Sequence, residues 1–158
     1  EITLRYCHQF APSYIPFGCD ATVSDGGCDY QFRNDTPYPI KVVTYYSSGN
    51  QLTVEIQGTK TNDNYVRIIS KTLSSTPYDV VYEETEELAP GEKELEQSPY
   101  TGYYVETYRN IYSADGTLLS STFEDSSDYE VRNEIYKIGK KLPDTTPAVP
   151  GSTTAPAA

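Results

Sequence analysis

A chain of 158 residues is long enough for one ordinary domain or two small ones. Its formal net charge of -11 excludes the basic stripe that phosphate neutralisation demands and disfavours an anionic membrane surface, so no nucleic-acid partner is expected. Leu, Ile, Val and Phe make up roughly a fifth of the residues, close to the composition of disordered chains, but sixteen tyrosines supply bulky rings that can be buried with the hydroxyl left wet.

The first stretch with chemical content is "RYCHQFAPSYIPFGCDATV", residues 5–23. It sets Cys7 beside the only histidine, His8. A thiolate nucleophile needs an imidazole within reach, yet neighbours in an extended segment point to opposite faces. His8 is therefore better suited to serve a cysteine elsewhere than Cys7. Cys19 and Cys28 are separated by a loop containing Gly26 and Gly27, which permits either a small-loop disulfide or two free thiols. Their spacing is no zinc pattern and there is no second histidine, so neither a metal nor a cofactor is expected.

"YQFRNDTPYPI" reads as a short strand running into a turn, with Asn34 and Asp35 able to bond their own backbone and Pro37 and Pro39 unable to donate to a ladder. "IKVVTYY" and "QLTVEIQ" flank "SSGN", and the second run alternates Leu52, Val54 and Ile56 with polar residues, which predicts a hairpin. "YVRIIS", from Tyr65 to Ser70, is expected as the third strand of the same meander. A second unit is expected from Ser74, with strands in "PYDVVYEET", "EKELEQ", "YYVETYRNIY", "TLLSSTFE" and "NEIYKIG", separated in part by the turns "LAPG" and "SADG".

In the longest strand Tyr104, Tyr108 and Tyr112 share one face, a stripe able either to stack on sugar rings or to serve as the core of a thin sheet. The acidic clusters "EETEE" and "EDSSD" lack a calcium-loop pattern and read as solvated edges that discourage strand aggregation. From residue 141 onward the Pro, Thr, Ala and Ser text predicts a disordered linker. No apolar run reaches membrane-spanning length, and a chain opening on Glu1 without a signal peptide reads as a fragment or mature segment.

Two motifs resemble known families. Arg5 and His8, then "YIPFGCDATV", then "DYQFRNDTPYPI" are similar to the C-terminal part of a VanW-family domain. "YEETEELAPG", "SPYTGYYVETYR", "DG" and "YKIG" resemble a five-glycine (G5) domain, with Gly91, Gly102, Gly116 and Gly139 at its glycine positions and Ser98-Pro99 where the remaining glycine is expected. The first resemblance implies an exported, cell-wall context in Gram-positive bacteria, linked to glycopeptide resistance. It also implies peptidoglycan cross-linking of the L,D-transpeptidase type by a cysteine in a Gly-rich segment that this chain does not contain. Arg5 and His8 carry over as catalytic candidates, with Asp20 as an orienting acid. The second implies an extended all-β, wall-associated module that contacts N-acetylglucosamine-containing glycan.

The expectation is thus an all-β chain of extended antiparallel sheets: a VanW-like part at 1–73, a G5 domain at 74–140 and a linker at 141–158. Its expected role is extracellular and cell-wall associated: a noncatalytic peptidoglycan-binding or spacer segment using Tyr104, Tyr108 and Tyr112. The alternative role is one part of a cysteine transpeptidase whose nucleophile lies outside this stretch.

Overall fold

The structure, a computed structural model, describes residues 1–140, so the linker expected at 141–158 lies outside the described residues. Every element among the described residues is a strand, as the short β-branched and aromatic runs predict. A two-stranded pair joins β1 (Ile2–Leu4) to β2 (Gln31–Phe32), and the 5–30 stretch between them is irregular. At the turn after β2, the Asn34 side chain accepts from the Thr36 amide at 3.1 Å and donates to the Tyr38 carbonyl at 2.7 Å, as its local backbone-bonding habit predicts.

β3 (Lys41–Ser47) and β4 (Gln51–Gln57) form the expected hairpin, pairing Lys41 with Gln57 and Ser47 with Gln51. Its turn needs left-handed backbone at both Gly49 (φ 87°) and Asn50 (φ 61°), which the small and amide side chains tolerate.

β5 (Tyr65–Thr76) corrects the meander expectation. It does not add to the hairpin but pairs along its whole length with β8 (Gly102–Tyr112), which in turn pairs with β9 (Leu118–Tyr129). Tyr65 lies opposite Tyr112 and the rings stack at 5.3 Å, an aromatic cross-strand pair that a purely local reading does not see. The strand runs through the boundary expected between residues 73 and 74, with a bulge at Leu73.

A second sheet orders β6 (Val80–Thr85), β10 (Glu134–Gly139) and β7 (Lys93–Gln97). β10 is antiparallel to β7 but parallel to β6, a pairing allowed by the long excursion through β7, β8 and β9. On this sheet the Lys93 ammonium sits 3.4 Å from the centre of the Tyr136 ring, which also stacks on Tyr82. The sheets are thin: Val105 and Tyr129 are the buried hydrophobic residues, and many tyrosines and aliphatics elsewhere stay exposed.

The G5-pattern glycines serve two different needs. Gly91 and Gly116 take positive φ in turns (82° and 91°) with room around them. Gly102 and Gly139 are instead closely approached by backbone, and a Cβ on Gly139 would stand 1.8 Å from the Ala89 carbonyl oxygen. The "LAPG" turn lies directly over the end of β10, held by Gly91 N–H donating to the Gly139 carbonyl at 3.0 Å and Gly139 N–H donating to the Glu92 carbonyl at 2.8 Å.

Candidate functional site

Residues 5–20 pack against one face of β8 and β9. Period-two alternation puts Tyr103, Val105 and Thr107 of β8 on that face, opposite Tyr129, Ser127 and Asp125 of β9. Gly18 (φ 79°) lies so close that a Cβ there would meet the Thr107 methyl at 2.6 Å. Phe17 beside it packs on the rings of Tyr103 and Tyr129, at 4.7 and 5.9 Å. Further along, Phe10 stacks on Tyr100 at 4.7 Å, and the Glu130 amide donates to the Gln9 carbonyl at 2.8 Å.

The three residues expected as catalytic come together here, around the Asp20 carboxylate, whose side chain is 1% exposed. One oxygen, Oδ2, accepts from the His8 backbone amide at 2.7 Å and from His8 Nδ1 at 2.8 Å. The other, Oδ1, accepts from the Tyr129 hydroxyl and from Arg5 Nη2 at 3.3 Å. All four lone-pair positions of the carboxylate are thereby used. A carboxylate only accepts, so Nδ1 of His8 carries a proton, and in the neutral ring the lone pair lies on Nε2.

Arg5, with a side chain 5% exposed, uses four of its five N–H donors in hydrogen bonds. Nε donates to the Asp20 carbonyl, Nη1 to Asp125 Oδ2 at 2.8 Å and Nη2 to Ser127 Oγ at 3.0 Å. Burial works against its charge, but Asp125 and Asp20 more than offset this and hold the guanidinium pKa above its usual value. Burial likewise pushes the Asp20 carboxyl up, and the Tyr129 hydroxyl together with the His8 amide and ring reverses that, leaving it below the ordinary carboxylate range. The Tyr129 phenol is pushed up to about 12, first by burial and then by its bond to Asp20. Its oxygen also accepts from the Gly18 amide at 2.6 Å.

Tyr129, Asp125 and Ser127 are the members of this cluster that sequence reasoning missed. They lie in and just after "EDSSD", expected as a solvated edge, whereas Ser127 is buried and Asp125 pairs with Arg5. Carrying strand periodicity five residues past Glu124 would have placed all three on one face.

The cysteines stand apart from this chemistry. All three are free thiols. Cys7 Sγ faces the Asp128 carbonyl at 3.9 Å, and burial raises the Cys19 pKa, which keeps that thiol protonated. No hydrogen bond joins a thiol to His8 among the described residues. The His8 side chain is 38% exposed, makes an edge contact with Tyr14 at 6.4 Å, and borders a groove of about 380 Å³ lined also by Phe10, Pro12 and Tyr100.

The glycan candidates lie on the opposite face of the same sheet. Tyr104 is exposed and Tyr108 and Tyr112 are half-buried, with Tyr108 edge-on to Phe123 and Tyr112 stacked on Tyr65. Tyr108 is further tied down by its hydroxyl, which donates to Glu106 at 2.5 Å.

Residues 1–57 match the VanW like protein family and residues 69–141 match the G5 domain family. The chain is 31% identical over 80 residues to the uncharacterized protein YoaR of Bacillus subtilis (strain 168), an overlap of 51% of this chain and 26% of YoaR. The chain thus spans about a quarter of that relative's length. Among solved structures, the G5 domain of an IgA1 protease is similar over 52% of this chain and 98% of its own (19% identity, TM-score 0.33). The G5 structure of HP0197 is similar over 48% and 95% (20% identity, TM-score 0.26). The chain is a VanW-like region followed by a G5 domain, a combination that marks a cell-wall-associated protein.

Proposed function

We propose that this segment works outside the cell as a noncatalytic, peptidoglycan-binding spacer, with the VanW-like part clamped to the G5 sheet as a single body. The observation that carries the reading is the open face of β5, β8 and β9. Tyr104, Tyr108 and Tyr112 recur there every fourth residue, about 13 Å apart at strand rise, beside Tyr65, Ile69 and Phe123. Rings spaced along an extended strand offer successive stacking platforms to an extended N-acetylglucosamine-containing glycan, and the paired neighbours already hold two of them in place.

Retention of the chain on purified peptidoglycan, above an acidic control protein of similar size, is the expected result. At about 0.5–1.5 kcal/mol per aromatic contact, replacing Tyr104, Tyr108 and Tyr112 together by Ala should weaken retention about tenfold or more. No retention above the control would end this reading.

A second reading is favoured by one specific observation: the bond from His8 Nδ1 to buried Asp20 leaves Nε2 as the basic nitrogen of a partly exposed ring. In this reading His8 is the general base of a cysteine transpeptidase that cross-links peptidoglycan, and a thiol from outside residues 1–158 is the nucleophile. Loss of cross-linking on His8→Gln in a protein that also carries that thiol supports it. Undiminished cross-linking removes it.

A further inference from the structure

We infer that the His8 site is built jointly by the two modules, with Tyr129 of β9 as its principal positioning residue and Asp125 and Ser127 as the anchors of Arg5. This rests on the reading of His8 as the working group of the VanW-like part, and it assigns to the G5 sheet a task beyond spacing.

The geometry is closed from the G5 side. Asp20 reaches His8 through one oxygen, and that oxygen's position depends on what holds the other. The other is held by the Tyr129 hydroxyl and by Arg5. Arg5 belongs to the VanW-like part, but two of its donors end on β9, at Asp125 and Ser127. Tyr129 also takes the Gly18 amide, fixing the backbone two residues before Asp20.

Removing β9 would therefore leave Asp20 with only donors from its own segment, Arg5 and His8, and would leave Arg5 Nη1 without a partner and Nη2 with Asp20 alone. Neighbouring groups do not duplicate the role: the rings of Phe17 and Tyr103 that pack beside Tyr129 contribute no hydrogen bond to the carboxylate. Tyr129→Phe keeps the ring and its packing while deleting the one hydroxyl.

Because His8 is the only histidine, its ring nitrogens give two resolvable signals in a long-range nitrogen–proton correlation spectrum of the full chain. At mildly alkaline pH the wild-type ring is expected in the form protonated on Nδ1, the reverse of the preference of an unconstrained imidazole. In Tyr129→Phe the Nδ1-protonated population, relative to the Nε2-protonated one, is expected to fall several-fold, with the sheet still folded by circular dichroism. A milder change in the same direction is expected from the exposed-side variant Asp125→Asn, which guards against a Tyr129 variant that fails to fold.

A folded Tyr129→Phe protein with an unchanged tautomer ratio would overturn the assignment, as would an unchanged ratio in Asp125→Asn if the first variant does not fold. The reading beneath it fails separately: a tautomer that depends on Tyr129, together with cross-linking that survives His8→Gln, would remove the catalytic reading and leave the joint construction standing.

Discussion

Replacing Asp20 by Ala is expected to destabilise the chain by about 3–5 kcal/mol, the range for removing one partner of a buried ion pair, read as a lowered urea midpoint. The side chain is 1% exposed and serves four donors at once. Its loss leaves the Tyr129 hydroxyl without its acceptor and Arg5 dependent on Asp125, Ser127 and a single carbonyl. Asp20→Asn should also destabilise, because its amide NH₂ must face a donor on one side or the other. Acid tests the same link. A carboxyl held below its ordinary pKa contributes stability that is fully present above the unfolded value, 3.8, and is lost as pH falls through the lower folded value. The wild-type midpoint should therefore fall below pH 3.8, and the Asp20→Ala midpoint should change less over that window. An Asp20→Ala protein as stable as wild type at neutral pH would show the cluster to be incidental.

Gly139→Ala is expected to cost about 3 kcal/mol, at the upper end of the overpacking range, again as a shift in urea midpoint with little change in slope. The added Cβ would lie 1.8 Å from the Ala89 carbonyl oxygen and 2.8 Å from that of Leu88, both backbone atoms that no side-chain rotation can move. Relief requires the 88–91 turn to lift, which breaks the hydrogen bonds tying Gly91 and Glu92 to Gly139. Gly91→Ala is the informative contrast. Nothing lies within 4 Å of its added Cβ, so it pays only for left-handed backbone, about 1 kcal/mol. Equal effects at the two positions would refute the distinction between a crossing glycine and a turn glycine.

Local chemistry made much of the fold legible. The hairpin of β3 and β4 was readable because Leu52, Val54 and Ile56 alternate cleanly and Gly49-Asn50 accept left-handed backbone. Where β5 goes was not readable, since its partner lies across β6 and β7 and its own turn from β4 resembles any meander turn. The end of β9 was hidden for a different reason. Its inward residues Asp125 and Ser127 are polar, so hydrophobic periodicity stops at Phe123 although the strand does not.

The candidate site shows the same limit. The motif resemblance singled out Arg5, His8 and Asp20, and they do meet around one carboxylate. No pattern in residues 5–23 announces that the fourth member is a tyrosine 109 positions from Asp20. A core assembled from charge-assisted hydrogen bonds rather than aliphatic contact leaves no apolar stripe to read.

The most direct test of the joined VanW-like and G5 body is native-state hydrogen exchange at the amides of His8 and Gly18. The Gly18 amide donates across to Tyr129, and the His8 amide donates to Asp20, which Tyr129 holds by its other oxygen, so opening of the clamp frees the first directly and the second through Asp20. If the clamp belongs to the cooperative unit, both should be protected to within about tenfold of the central amides of β8. Exchange of His8 and Gly18 at unprotected rates, while β8 stays protected, would contradict it.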